Sequence, residues 1–257
     1  MNNKFEYQLK GIYTEFLKNR ILDQDFEIVT IAMTKMTNII LEKAKDSNED
    51  SIKDFVKSYK DSTKNITLNS KLYDSIIFER LYINNYFYFE EFISKCFSTL
   101  YINFPKFLIV DEINIDYEDL FEQDDINFIR NRFIDKKVKS IMQSSNIYSI
   151  FKKFDSIFAL KIKIDKDILN NLFIISQNRN IIVHNKGLVN SIYLMELRKY
   201  SIISDKEEGD YILSSLDINT VLKSQFEFID QIIEKVMSTL IGDYKRIVEY
   251  HNEIKRK

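Results

Sequence analysis

Apolar side chains recur along most of the chain at the three- and four-residue spacing of an amphipathic α-helix. Residues 72–104 carry them so densely that the pattern predicts one long helix, and Pro105, which cannot continue a helix, ends it. The same periodicity predicts helices over residues 165–184 and 219–250, and another that begins near Phe128. Two further stripes in the first forty residues comprise Ile12, Phe16, Leu17 and Ile21, and Phe26, Val29, Met33, Met36 and Ile40.

Two stretches depart from a single apolar stripe. Residues 86–89, a run of alternating Tyr and Phe, cover more than one side of the long helix, so we expect them to be buried on several sides. Residues 188–213 are less regular, and we expect short extended pieces around Gly209 and Asp210.

A polar segment divides the chain unequally. Residues 42–64 are mostly polar, and residues 46–51 have the composition of a helix stop and restart. We therefore predict an N-terminal helical extension over residues 1–65 and a main helical domain over residues 66–257. The apolar stripes of the extension would form a large exposed patch if left uncovered, so we expect them to pack on the main domain, on a second copy or on a partner.

Composition supports the all-α class. The chain has 257 residues but only four Gly and one Pro, too few for the many tight turns of barrels, sandwiches or doubly wound sheets. The single cysteine, Cys96, cannot form an intrachain disulfide. The start lacks the apolar stretch of a signal peptide, and no run approaches the roughly 18 apolar residues of a membrane span. We expect a cytoplasmic protein that makes no membrane contact.

The charge balance limits the ways in which the chain can bind nucleic acid. Its 37 Lys and Arg face 39 Asp and Glu, a net charge of -2, so RNA binding would need a local basic patch. Residues 111–125 contain eight acidic residues and no basic one. These carboxylates lack the spacing and the Gly of a calcium loop, so we interpret them as a solvated surface segment without a metal.

Most catalytic signatures are missing. The four Gly never cluster into a phosphate-binding loop, one Cys with two His cannot form the common zinc sites, and no Ser lies in a Gly-x-Ser-x-Gly turn. We therefore expect no cofactor and no metal. The remaining candidates for proton transfer near neutral pH are the two histidines, His184 and His251.

Each histidine follows an arginine by five residues, Arg179 before His184 and Arg246 before His251. The surroundings favour the first pair. Asn180 and His184 share a helix face, and the long Arg179 side chain can reach the same surface, so that a guanidinium, an amide and an imidazole suit a phosphodiester. The second pair lies in a terminal segment and is expected to be a surface feature.

A purely structural interpretation of the first pair is also open. A histidine near a helix C-terminus is favoured by the helix dipole, and Asn185 or Gly187 could simply cap the helix, with Lys186 and Gly187 in a left-handed turn.

The segment from Arg179 and Asn180 to His184 resembles the signature of the HEPN superfamily (higher eukaryotes and prokaryotes nucleotide-binding). Residues 88–93 followed by Phe104 and Pro105 resemble the long first helix of its bacterial branch, and residues 184–190 resemble its turn after the motif. The resemblance covers residues 70–250. It implies that residues 66–257 form a HEPN-like helical bundle that dimerises with two motifs facing each other.

The resemblance further implies a metal-independent endoribonuclease of a toxin, abortive-infection or anti-phage defence system. Its substrate would be RNA, its active form a homodimer through the motif helix, and its partner an antitoxin or another defence protein. The alternative is a non-catalytic HEPN module that binds nucleotide, RNA or a protein. The residues carried over as catalytic are Arg179, Asn180 and His184, with Glu90, Glu91 and Asn185 as supporting candidates.

Overall fold

The computed structural model describes residues 2–44, 49–62, 70–108, 125–144, 146–213 and 218–254. Within these ranges the backbone forms nine α-helices and one 3-10 turn, Pro105–Leu108, and no β-strand, so the all-α prediction is confirmed. The helices are α1 Asn2–Ala44, α2 Asp50–Ser62, α3 Ser70–Asn103, α4 Ile126–Ser144, α5 Ile147–Phe158, α6 Lys166–Asn185, α7 Ser191–Lys199, α8 Ile218–Gly242 and α9 Tyr244–Glu253.

Helix α3 is the central element of the bundle. It packs against α1, α4, α6 and α8. It ends at Asn103, just before Pro105, as the sequence predicted, and the 3-10 turn follows. Its C-terminal half is buried on several sides because large apolar residues occupy more than half of the positions there. The Phe97 ring stacks on Phe154 of α5 with 4.2 Å between centroids. The other fully buried side chains of this half include Phe89, Phe92, Ile93, Cys96, Leu100 and Tyr101.

The N-terminal half of α1 belongs to the same core as α3. Phe5, Leu9 and Phe16 are buried in it, and the Phe16 ring lies edge-on to Phe92 at 5.9 Å. Arg20 joins α1 to α8, with its Nη2 donating to Asp230 Oδ2 at 3.1 Å. The first half of the predicted extension therefore packs on the main domain.

The second half of α1 behaves differently from the first. Of its predicted stripe, Phe26, Val29 and Met33 are more than half exposed, and so are Met36 and Ile40. Within this chain, Ile12, Phe16 and Leu17 of the first stripe are covered, whereas Ile21 is 50% exposed and the second stripe is uncovered.

Several local predictions need correction. Of residues 86–89, Tyr86 and Phe89 are buried, but Phe87 is 52% exposed, so the run is not enclosed on every side. Residues 188–213, predicted as irregular, contain α7, which Asn190 caps by accepting from the Tyr193 amide at 2.9 Å. The predicted terminal helix over residues 219–250 is two helices, because the chain breaks at Asp243 between α8 and α9. The acidic prediction over residues 111–125 falls outside the described residues except for its last position.

Candidate functional site at the end of helix α6

The Arg-to-His segment occupies the last two turns of α6, and this helix is held firmly at its start. The Asp165 carboxylate caps the helix by accepting from the Asp167 amide at 2.8 Å. Leu172, Phe173 and Ile175 are buried between α3, α5 and α8. The predicted bounds, residues 165–184, agree with the observed Lys166–Asn185. The motif residues therefore extend from a rigid element.

The turn after α6 has the left-handed geometry that the sequence predicted. Lys186 has φ +54° and Gly187 has φ +76°, and the Gly187 amide donates to the Ile181 carbonyl at 3.1 Å. An antiparallel bridge between Leu188 and Tyr211 fastens this turn to the segment before α8. It corresponds to the extended pieces expected near Gly209 and is the single bridge within the described ranges.

The side chain of Asn185 completes this turn. Its Nδ2 donates to the Leu188 carbonyl, and the Leu188 amide donates back to the Asn185 carbonyl at 3.0 Å. Asn185 is thus engaged in shaping the backbone beyond the helix, as the capping interpretation expected.

A hydrogen bond joins Arg179 to Asn180, and His184 lies one turn further along the helix. The Arg179 Nη1 donates to Asn180 Oδ1 at 3.1 Å, and Asn180 and His184 follow each other on one helix face. Both Asn180 and His184 are exposed, whereas Arg179 is half-buried and its Nε is shielded from solvent without a hydrogen-bond partner in the described part of the chain. A cationic group, an amide and an imidazole are therefore presented in sequence at the surface.

The structure distinguishes the two candidate carboxylates of α3. Glu90 lies within electrostatic reach of Arg179, and burial raises its pKa while the guanidinium opposes that rise. Glu91 instead binds Lys95 at 2.9 Å, and Lys95 also binds Glu15 of α1 at 2.8 Å. Glu90 is thus the carboxylate beside Arg179, and Glu91 belongs to an ion-pair network between α1 and α3.

A layer of polar groups beneath Arg179 was missed from the sequence. Asn178 donates to the Tyr82 hydroxyl at 3.2 Å and accepts from the Tyr193 hydroxyl at 2.8 Å, which links α6 to α3 and α7. The Tyr86 hydroxyl lies beside Ser176, and burial raises the pKa of Tyr86. One signal was available: Tyr82, Tyr86 and Glu90 follow each other at intervals of four and therefore share one face of α3.

An open cleft of about 200 Å³ lies on the Asn178 side of α6, between α3 and α8. Its lining residues, among them Tyr82, Asn178 and Gln225, are all uncharged. A phosphate is bound by cationic or backbone N–H donors, so this cleft suits it less well than the surface beside Arg179.

The two residues of the second Arg-to-His pair differ in their exposure to solvent. Arg246 is exposed, but His251 is partly buried in α9 between the rings of Phe104 and Phe107, at centroid distances of 5.6 and 5.5 Å. Its Nε2 accepts from the Lys106 amide at 3.3 Å, and burial, followed by the charge of Lys106, lowers its pKa. The surface expectation was therefore wrong for His251, because α9 folds back onto the turn after α3.

Within the described ranges, no three His, Cys, Asp or Glu side chains are grouped so that they could hold a metal ion, and none of the helices there combines the length and the apolar character needed to cross a membrane. No family model, no curated protein and no solved structure matches this chain.

Proposed function

We propose that this chain is a metal-independent endoribonuclease of the HEPN type, acting as a toxin or as a component of an abortive-infection or anti-phage defence system. The observation that carries the proposal is the contact of the Arg179 guanidinium with Asn180, one helical turn before the exposed His184. Glu90 lies within electrostatic reach of Arg179 and supplies a partial counter-charge to its guanidinium.

The reaction that suits these groups is cleavage of RNA by its own 2′-hydroxyl. His184 acts as general base or acid, taking the proton of the 2′-oxygen as that oxygen attacks the adjacent phosphorus, or giving one to the leaving 5′-oxygen. Arg179 stabilises the charge that develops on the phosphorane, and Asn180 orients the phosphate or the imidazole. The products are a 2′,3′-cyclic phosphate and a 5′-hydroxyl.

The motif of one chain offers a single imidazole, His184, whereas the reaction needs one group to remove a proton and another to supply one. A two-fold axis beside Gly187 would bring a second Arg179, Asn180 and His184 to the same cleft and double the local positive charge. Apolar side chains exposed next to the motif favour pairing at this face. They are Val183, Ile192, Met195 and Tyr211.

The test is cleavage of total RNA in the presence of EDTA. We expect the wild type to cleave and to leave 2′,3′-cyclic phosphate ends, and His184→Ala and Arg179→Ala to be inactive with unchanged far-UV circular dichroism. Mixing the two inactive variants should restore part of the activity if the site is composite. Activity that EDTA abolishes, or full activity per chain in a monomer, would sink this mechanism.

The same experiment separates the alternative. A non-catalytic HEPN module would bind RNA or nucleotide without cleaving it, and Arg179→Ala would weaken that binding. Wild-type protein that retards RNA in a gel and leaves it intact would therefore favour the binding module over the nuclease.

A further inference from the structure

Six exposed apolar side chains on one face of α1 follow a strict heptad, whereas Ile21, Ile28 and Ile39, which are also at least half exposed, lie outside it. The spacing within the heptad alternates between four and three residues from residue 22 to residue 40, and each of the six side chains is more than half exposed. Asn19 and Lys43 occupy the heptad positions immediately before and after, so the apolar run is bounded by polar residues at both ends. We call this run the α1 seam. Its members are Leu22, Phe26, Val29, Met33, Met36 and Ile40.

The α1 seam faces away from the body of the protein. Side chains of the same helix that contact the bundle, such as Phe16 and Glu27, lie on the other side; Glu27 is 2% exposed and binds Arg80 Nε of α3 at 3.2 Å. At about 100° per residue, the seam is centred roughly 140° around the helix from these positions. A second helix can therefore approach the seam without displacing any of the packing described above.

A heptad repeat specifies the shape of its partner. Apolar positions that recur every 3.5 residues stay on one line only if two helices coil around each other, with each side chain inserted between four of the facing helix. A flat ligand, an extended peptide or a lipid surface does not require this spacing. The seam, roughly 27 Å long at 1.5 Å per residue, is therefore shaped to receive another α-helix with the same repeat.

We propose that the partner is a second copy of this chain, with the two α1 helices pairing antiparallel. In this arrangement Leu22 faces the other chain's Ile40, Phe26 faces Met36, and Val29 faces Met33. Phe26 and Val29 then each oppose a flexible methionine, which can adapt its shape to fill the layer. A parallel pair would set Phe26 against Phe26 and Val29 against Val29, with alternating crowded and empty layers.

The charges beside the seam agree with self-pairing in this direction. The flanking positions Thr30, Ala32, Thr37 and Ile39 are uncharged. The two charged flanking residues, Asp23 and Asp25, would face Thr37 and Ile39 of the other chain in an antiparallel pair, so two copies can meet without like charges across the interface. An antiparallel pair places Lys43 opposite Asn19, whereas a parallel pair places two copies of Lys43 together. This interface lies on α1 and is independent of the motif face and of the function proposed above.

The first test is the mass of the full chain in solution by sedimentation. Phe26→Glu and Met33→Glu should each halve the particle mass, whether or not the motif face also pairs. Ile203→Glu, at an apolar position that is 96% exposed outside the seam, should leave the mass unchanged. A wild type that stays monomeric at micromolar concentration, or seam variants that keep the wild-type mass while folded by circular dichroism, would overturn the proposal.

The second test fixes the direction with engineered disulfides. A Leu22→Cys, Ile40→Cys double variant should form a cross-linked dimer under mild oxidation, whereas each single variant should not. The two positions are roughly 27 Å apart in one chain, too far for an internal disulfide, and the native Cys96 is buried. A Gln24→Cys, Lys35→Cys pair outside the seam is the control. Efficient cross-linking of the single variants, or none in the double variant, would overturn the antiparallel arrangement.

Discussion

The Tyr193 hydroxyl of α7 donates a 2.8 Å hydrogen bond to Oδ1 of Asn178, the residue immediately before Arg179. Asn178 in turn donates to the Tyr82 hydroxyl of α3 at 3.2 Å. Three helices are thereby joined one residue from the cationic group of the candidate site. The position of Arg179 therefore depends on side chains that are distant in sequence, and this dependence can be measured.

We expect Tyr193→Phe to lower the free energy of unfolding by about 1–2 kcal/mol, because the substitution leaves the Asn178 carbonyl oxygen without its donor. RNA cleavage, if the proposed function holds, should fall more than this loss of stability accounts for. Urea unfolding and initial cleavage rates measure the two effects. Tyr211→Phe is the matched control, since Tyr211 is 60% exposed, and its unfolding curve should overlay that of the wild type.

We expect removal of His184 to affect RNA cleavage and removal of His251 to affect stability. His184 is exposed, so His184→Ala should alter stability by less than about 0.5 kcal/mol while it abolishes cleavage. His251 packs between two Phe rings, so His251→Ala should lower stability by about 1–2 kcal/mol and leave cleavage per folded molecule unchanged. Equal loss of activity in both variants would contradict this division.

We expect the free energy of unfolding to fall as the pH is lowered, because His251 becomes protonated. Its pKa is lowered from 6.5 in the folded protein, so the unfolded chain binds the proton more readily. The contribution of neutral His251 to stability is fully present above about pH 6.5, the pKa in the unfolded chain. It is lost as the pH falls through the lower pKa of His251 in the folded protein. We expect the wild type to lose more stability between about pH 7 and pH 5 than His251→Gln, which keeps a hydrogen-bond acceptor but cannot titrate. Parallel denaturation curves at each pH measure the difference.

We expect the Glu90 carboxylate to lower the stability of the fold while it supports RNA cleavage. Because burial raises the pKa of its carboxyl group, the charged form is disfavoured in the folded protein, and stability should rise as pH falls through that raised pKa. Glu90→Gln should therefore keep or raise the melting temperature at neutral pH while reducing cleavage, since Arg179 loses its counter-charge. Glu91→Gln, which removes a contact with Lys95 instead, should leave cleavage unchanged. A lower melting temperature for Glu90→Gln alone would contradict the argument.

The division of the chain near residue 65 can be tested through α1. Leu9 is fully buried in the core that α1 shares with α3, so Leu9→Ala should cost about 2–5 kcal/mol, whereas Tyr7→Ala, at a position that is 78% exposed, should cost little. A chain that begins at Ser70 should lose cooperative unfolding because it exposes this core. Retention of full stability without residues 1–69 would instead establish the predicted extension as separable.

The sequence by itself determined the features that depend on local chemistry. The all-α class and the central helix ending at Pro105 follow from apolar spacing and from the missing N–H of proline. The bounds of α6 and its left-handed end follow from Asp165 and Gly187, because caps are made by residues within a few positions of the helix end. The spacing of Arg179, Asn180 and His184 places them along the end of α6 for the same local reason.

Only the tertiary structure decided which neighbours these residues have. Glu90 and Glu91 are adjacent in sequence, but consecutive helix positions point about 100° apart, so the packing of α3 against α6 brought only Glu90 to Arg179. The sequence places His251 in a terminal segment that was expected to lie at the surface. In the structure α9 packs onto the turn after α3, and His251 contacts that turn. The two stripes of α1 look alike in sequence, yet most of the first packs on the core and the second is exposed, because periodicity predicts an apolar face but cannot say which element covers it.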